Sequence, residues 1–519
     1  MEGRSDVDAA ADRISKLPEP ILQHILSFLL AKDAARMSTL SKVWDSAWNS
    51  LSSFNFGDKF LKSKDMPKLV NVVNQTLANR QKHKISMQKF SLGLPHHRWL
   101  SYVDDWIKIL IACNIKELNL RVSRPIYEGK LEYNSLPEAI FAAKALNVLR
   151  LDGFKIELPS DGIKFSSLRE LHLSDVFLNE EFIQALCTSC CNLEDLYLQN
   201  FDGLASFQVG NTSLPKLKKV NLEFCPFVFQ LVDIAAINLE DLKIDSLHGN
   251  LKVVKITACK ALKTLYLNCV AVTDEWLESL FSSLPNLEIF KLFSCETLKN
   301  MKITSDRLKW LMASRCDNLI AVELDTPNLI KFQYNCHPLS TFKLKASVLL
   351  EATFCLFPET DDNHWHSKFT KFLANFNHSK AIELSCHCDR VIVIPKDLRE
   401  NFLPPLYGTN ILQVNLQNQS KYSVVDIIDS MLWISPHLGA LSFIIRAPGV
   451  KTLKFIYEDA SDNDEKPCCA SLPWKCWRHV LKKVKLQNFT CMEQQELRNY
   501  FFANADISEM VVIPPDCSL

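Results

Sequence analysis

The chain has 519 residues, and its 59 lysines and arginines balance 59 aspartates and glutamates, so the formal net charge is zero. That balance lacks the basic excess on which electrostatic binding to nucleic acid or a membrane surface depends. Glycine is scarce, at 12 residues, and no G-x-G-x-x-G, G-x-x-x-x-G-K-[ST], H-E-x-x-H or G-x-S-x-G occurs, which removes most nucleotide-binding and common hydrolase readings.

Residues 1–12 are polar and acidic, without the apolar core of a secretory signal, and are expected to form a disordered tail. No apolar run approaches the roughly 18 residues of a membrane span. The expectation is a soluble intracellular protein whose 18 cysteines are mostly reduced and fill small apolar positions.

Residues 13–56 predict three short helices. Pro18 suits a first helical turn, and Ile21, Leu22, Ile25, Leu26, Phe28 and Leu29 recur at helical spacing. Asp33 is the expected cap of a second helix reaching Thr39, and a third starts near Ser41 with Trp44 and Trp48 on one side. The apolar stripe is wider than one core face requires, and surplus apolar surface on a small unit points to a partner. Leu17, Pro18, Ile21, Leu22, Ile25, Leu26, Leu40 and Trp44 are the candidate docking residues, with Trp44 and Trp48 also expected to pack inside.

Residues 57–112 read as linking helices and a first degenerate repeat. Across 113–334 an L-x-x-L-x-L unit recurs, as in Leu168-Arg-Glu-Leu171-His-Leu173, Leu193-Glu-Asp-Leu196-Tyr-Leu198 and Leu262-Lys-Thr-Leu265-Tyr-Leu267, mostly every ~21–25 residues. Leu308-Lys-Trp-Leu311 reads as a degraded copy, and Asn200, Cys225, Cys269 and Cys295 stand where such repeats turn. Each unit predicts a short strand with its leucines inward, and stacked units bury what one alone cannot. Helices are expected at Glu180 to Cys187 and Asp274 to Ser282, with Trp276, Leu277 and Leu280 facing in. Residues 335–470 continue with longer, irregular repeats and an acidic loop at 458–466, and 471–519 would cap the open end.

The outward strand positions form a ladder on the expected concave face. His172, Tyr197, Asn221, Lys243, Tyr266, Lys291 and Met312 are equivalent in successive repeats, with Phe293 and Trp310 on neighbouring rungs. Aromatic and charged side chains there suit protein binding. The clusters Cys386-His387-Cys388 and Cys468-Cys469 with Cys476 lack a second C-x-x-C at zinc spacing, so they read as structural, as do Cys187, Cys190 and Cys191; His364-x-His366 beside Asp361 and Asp362 reads as a polar loop. No metal and no cofactor is expected.

Leu17-Pro18-x-x-Ile21-Leu22-x-x-Ile25-Leu26-Ser27-Phe28-Leu29, with Lys32-Asp33-Ala34, Arg36, Ser38, Leu40-Ser41-Lys42 and Trp44, closely resembles an F-box, and Trp477 to Pro514 resembles the FBD module. The whole chain resembles the plant F-box/FBD/leucine-rich-repeat family. The resemblance implies an α/β leucine-rich-repeat horseshoe preceded by a small all-α three-helix F-box. It implies a non-catalytic substrate-recognition subunit of an SCF-type ubiquitin ligase. The F-box would bind a Skp-type adaptor, and through it cullin and RING subunits, while the repeats hold a target protein; no nucleic acid or membrane is implied. Val43, where the family has a basic residue, and Ala47, often leucine, are the positions where adaptor binding would be weakened. A non-degradative scaffold is the alternative. A small-molecule receptor ranks low, because the repeats carry no dense basic cluster.

Overall fold

The computed structural model describes residue 14 and residues 16–57, 66–95, 99–124, 126–127, 130–210, 212–224, 229–247, 251–336, 341–357, 364–386, 389–400, 402–416, 422–445, 450–458 and 477–514. The expected tail at 1–12, Cys225, Asp361, Asp362, His387, Cys388, Cys468, Cys469, Cys476 and all but the first residue of the acidic loop lie outside them. The chain forms two compact units, residues 1–262 and 263–519.

The first unit opens with helices α1 (Glu19–Ser27), α2 (Ala31–Ser38) and α3 (Lys42–Asn49). Its parallel strands are β1 (Ser53–Phe56), β2 (Lys89–Leu94), β3 (Glu117–Val122), β4 (Val148–Asp152), β5 (Glu170–Ser174), β6 (Asp195–Gln199), β7 (Lys219–Phe224) and β8 (Asp241–Ser246), each paired with the next in sequence order. β1 falls within the stretch that sequence assigns to the helical unit, so the sheet starts one strand earlier than the leucine pattern announces. Helices α4 (Met66–His83), α5 (Leu100–Ala112) and α6 (Glu180–Ser189) connect strands.

The register explains the leucines. Leu118, Leu149, Leu171, Leu196, Val220 and Leu242 are consecutive partners, and Leu120, Leu151, Leu173, Leu198, Leu222 and Ile244 form a second row. All are buried. Alternation along each strand sends these side chains to one face and the polar residues between them to the other. Parallel neighbours then place like on like, so an apolar row in one repeat is covered by the same row in the next.

In the second unit the strands are β9 (Thr264–Asn268), β10 (Ile289–Phe293), β11 (Trp310–Ser314), β12 (Lys331–Asn335), β13 (Glu351–Leu356), β14 (Ala381–Cys386), β15 (Ile411–Leu416) and β16 (Ala440–Ile445), again parallel in sequence order. β11, on the copy that looks degraded, is regular. β17 (Lys451–Tyr457) then reverses direction, pairing antiparallel with both β16 and β18 (Leu481–Gln487), and β19 (Glu509–Ile513) closes the order in parallel. Helices α7 (Asp274–Ser283), α8 (Trp365–Ala374), α9 (Val424–Ile434) and α10 (Cys491–Asn504) accompany them. On α7 Leu277 and Leu280 are buried while Trp276 is half-buried. Aromatic rings replace leucines in the core here, with Phe354 4.6 Å from Phe376 and 4.8 Å from Phe372. α10 is held by Tyr500 donating to Asp429 Oδ1 at 2.5 Å, and Asp429 also binds Arg399 at 2.6 Å.

A repeated turn sets the period. Gly153, Asp175, Asn200, Cys269, Ser294 and Arg315 each follow the last residue of a strand, and all have positive φ, between 48° and 88°. Cys295 is therefore one residue past the turn rather than at it. There its sulfur is buried and lies 3.4 Å from the Phe293 carbonyl oxygen, an arrangement repeated by Cys316 on Ser314 at 3.6 Å. At Gly153 a Cβ would meet the Val122 carbonyl oxygen at 1.9 Å, whereas Gly162, with φ of +71°, faces open space. Gly153→Ala is expected to cost about 1–3 kcal/mol, clearly more than Gly162→Ala, which suffers only the left-handed backbone penalty. Urea unfolding of the two variants measures the difference.

Candidate functional site

Two surfaces follow from this fold, one helical and one on the sheet. In the helical part, Pro18 caps α1 and Pro20 lies in its first turn, where a missing N–H breaks no helical bond. α2 starts at Ala31 with Leu30 as its cap, so Asp33 stands in the first turn, where it favours the helix dipole and pairs with Arg36 at 3.4 Å; it is not the cap expected from sequence. Ser41 caps α3, accepting from the Trp44 amide at 3.4 Å.

Burial divides the candidate docking residues. Leu22, Leu26 and Trp44 are 0, 1 and 2% exposed and form the interior of the unit with Ala31, Ala34 and Ala47, so they offer no surface to a partner. Helical spacing identifies the apolar positions but not which of them face the two sister helices. Leu17, Pro18, Ile21 and Leu40 are exposed, and Ile25 is half-buried. Ile21 and Leu40 are 46 and 65% exposed, and Phe28 and Val43, outside the candidate list, are 75 and 42% exposed. Phe28 was recoverable from its place seven residues after Ile21, on the same side of α1. Of the two departures from the family pattern, Val43 is on this outer surface and Ala47 is in the core.

The helical part is fixed to the repeats by one buried cation. Arg80 of α4 donates to the carbonyl oxygens of Trp48 at 2.8 Å and Leu51 at 3.2 Å, and its guanidinium lies 4.7 Å from the Phe54 ring centroid. Burial pushes its pKa down to about 10. Trp48 also meets Phe54 edge-on at 5.3 Å, so it packs at the join between α3 and β1.

On the sheet, the expected ladder is resolved by register within each unit. Arg150, His172, Tyr197, Asn221 and Lys243 are consecutive partners in the first unit. The His172 and Tyr197 rings stack 4.2 Å apart at 7°. Glu170 binds Arg150 at 2.9 Å and stands 3.7 Å from His172. Lys243 lies 3.4 Å from both Glu223 and Asp245. A cavity of about 410 Å³ includes Arg121, Arg150, His172, Ser91 and Gly93 in its lining.

In the second unit Tyr266, Lys291, Met312 and Gln333 form one row; Trp310 and Lys331 belong to the row on one side, and Phe293 to the row on the other. Tyr266 and Phe293 are 5.0 Å apart, and Lys291 Nζ lies 3.7 Å from the Trp310 ring centroid. All nine ladder residues are half-buried. Lys331 and Gln333 escaped sequence reading because their repeat, Leu329-Ile-Lys-Phe332-Gln-Tyr334, has aromatics in place of two leucines.

Among the described residues no group of three His, Cys, Asp or Glu side chains could hold a metal ion, and no helix is long and apolar enough to cross a membrane. His366 Nε2 lies 3.2 Å from the Arg390 carbonyl oxygen, and Cys386 is buried on β14.

The arrangement defines a repeat protein with an F-box domain at its amino terminus followed by leucine-rich repeats. Residues 14–56 match the model of the F-box domain, residues 103–265 that of the leucine-rich repeats of FBD-associated F-box protein At5g56370, and residues 246–497 that of the At1g61320/AtMIF1 leucine-rich-repeat domain. Relatives come from Arabidopsis thaliana. F-box/FBD/LRR-repeat protein At5g56420 is 30% identical over 41% of this chain and 49% of its own. FBD-associated F-box protein At4g10400 is 28% identical over 44% and 56%, and putative F-box/LRR-repeat protein At3g49150 is 26% identical over 69% and 52%. The chain spans about half the length of these curated relatives. The domains it matches and the relatives it resembles are those of plant F-box/leucine-rich-repeat proteins.

Burial, and secondarily the Arg150 charge, holds the His172 imidazole below its ordinary pKa, against the opposing pull of Glu170. Its midpoint in an NMR titration is expected below 6.5. Because the unfolded chain takes the proton first, this residue's contribution to stability is present above pH ~6.5 and is lost as pH falls toward the depressed folded value.

Proposed function

We propose that this chain is the substrate-recognition subunit of an SCF-type ubiquitin ligase, with its three helices docking on a Skp-type adaptor and its repeats holding a target protein. Cullin and RING subunits would join through the adaptor, and the chain itself would be non-catalytic. In this reading each unit curves as a leucine-rich-repeat solenoid with its sheet on the concave side, since strands spaced ~4.8 Å apart occupy less length than helices ~10 Å wide. Residues 471–519 act as an FBD-like cap.

The observation that carries the reading is the apolar surface of Leu17, Ile21, Phe28 and Leu40, left exposed within the span that matches the F-box domain. Burying four such side chains contributes on the order of 6–12 kcal/mol gross, which exceeds the several kcal/mol lost on association only if most of them are covered. Ile21→Asp with Leu40→Asp is expected to abolish adaptor pull-down while leaving the thermal unfolding midpoint unchanged; retained binding overturns the assignment. Reconstituted ubiquitination distinguishes the ligase subunit from a scaffold that uses the adaptor without modifying cargo.

Val43 and Ala47 act differently in this reading. Val43→Lys restores the family's charge on an exposed site and is expected to strengthen adaptor binding a few-fold in a titration. Ala47→Leu instead overfills a closed core, with a stability loss of about 1–3 kcal/mol, seen as a lower unfolding midpoint.

A further inference from the structure

Three cations on the sheet face of the first unit are matched by carboxylates: Arg121 by Asp152 at 2.7 Å, Arg150 by Glu170 at 2.9 Å and Lys243 by Glu223 at 3.4 Å. Lys291 in the second unit is held differently. Lys291 Nζ rests 3.7 Å from the centroid of the Trp310 ring, and Lys331 approaches the same ring at 5.4 Å. The indole is fixed by its own N–H, which donates to Gln333 Oε1 at 3.3 Å. Lys331 is balanced by Glu351 at 3.1 Å. No carboxylate among the described residues stands within ion-pair distance of Lys291, whose ammonium is held below the ordinary lysine value by burial and then by the Lys331 charge.

The surroundings of that charge are apolar. Met312 is the register partner of Lys291 on β11, and Tyr266 is its partner on β9. Phe293 lies against Tyr266 at 5.0 Å. All of these side chains remain half-exposed. A positive charge pre-positioned on an aromatic face, short of a counter-ion and bordered by ring and thioether surface, is complementary to an anion carried beside an apolar group.

We propose that this face of the second unit binds an acidic peptide segment, placing an Asp or Glu carboxylate on Lys291 and an adjacent apolar side chain against Tyr266, Phe293 and Trp310. The proposal rests on the reading that the repeats hold a target protein, and it specifies the chemistry of the segment held. A carboxylate fits better than a phosphate. Strands β9 to β12 carry no arginine, and phosphate recognition favours the two-pronged guanidinium that a single ammonium does not supply. Glu351 already neutralises the second lysine, leaving one positive charge for one negative charge.

The test is a random peptide display library selected on the full-length chain. Recovered peptides are expected to share an Asp or Glu flanked by an aromatic or aliphatic residue. Synthetic copies should lose about tenfold or more in affinity when that acid becomes its amide, the scale of one charge-assisted hydrogen bond. Lys291→Gln should cause the same loss and Lys291→Arg should largely restore binding, whereas Lys343→Gln with Lys345→Gln, on a separate strand, should leave it unchanged. Trp310→Phe, which keeps a ring under the ammonium, serves where Trp310→Ala fails to fold. Selection of no peptides, selection of peptides without acids, indifference to Lys291→Gln, or tighter binding of phosphoserine at the anchor would each overturn the proposal. Adaptor pull-down on the Lys291 variant keeps the two readings apart. Intact adaptor binding without peptide capture defeats only this inference, and peptide capture without adaptor binding defeats only the ligase assignment.

Discussion

No turn of this chain can bury its own leucines. A strand of five or six residues has one apolar face and two open edges, and only another copy stacked in register covers both. The rows running from Leu118 to Leu242 and from Leu120 to Ile244 are that constraint satisfied, since each residue is partnered by its counterpart in the next repeat. Other features follow from keeping the register. The left-handed residue after six of the strands turns the chain out of the sheet at a fixed point, and the buried residue behind it, from Phe154 to Cys316, fills the corner. Because the inward face is committed to stacking, chemistry is confined to the alternate positions, where successive side chains meet at the spacing of neighbouring strands. This is why His172 can lie flat on Tyr197 and Lys291 can rest on Trp310 although a whole repeat of chain separates each pair.

The leucine frame made most of this architecture legible in the sequence, down to the approximate ends of α6 and α7. What failed did so for identifiable reasons. β1, Ser-Phe-Asn-Phe, is too short and too close to the helical motif to announce itself as the first rung. The copy near Leu308 looks degraded because Ala313 stands where its third leucine would be, and the copy at Leu329 goes unread because Phe332 and Tyr334 hold two leucine positions, yet all three side chains are buried in the leucine rows. The exposed apolar surface of the helices was half legible. Spacing finds an apolar residue but not its neighbour, so Leu22 and Leu26 could not be told from Ile21 before the sister helices were in place. The pairing of Lys291 with an indole, rather than with a carboxylate as for Lys243, depends on side-chain reach across strands, which no single repeat encodes.

The two surfaces differ physically. The exposed Leu17, Ile21, Phe28, Leu40 and Val43 of the helical one are aliphatic and aromatic, and in the proposed reading a partner removes them from water. The sheet is mixed, with half-buried rings, amides and ion pairs, and its polar groups are already largely satisfied by one another. A partner there must displace or complete existing contacts, which limits affinity and sharpens choice. In the proposed reading, one chain thus presents one surface built for retention and another built for discrimination.

Arg80 gives this division a mechanical meaning. By holding the last carbonyl groups of α3 and Leu51 from inside α4, and by covering Phe54, it welds the helices to the first rung of the sheet. β1 begins four residues after α3 ends and is hydrogen-bonded into the stack from its first residue. Anything seated on the first unit is therefore borne on a stiff arm whose angle at the helical end is set by peptide planes. Its reach is that of a bracket, with a bearing fixed at folding, and lengthening the segment between α3 and β1 would turn that bracket into a hinge.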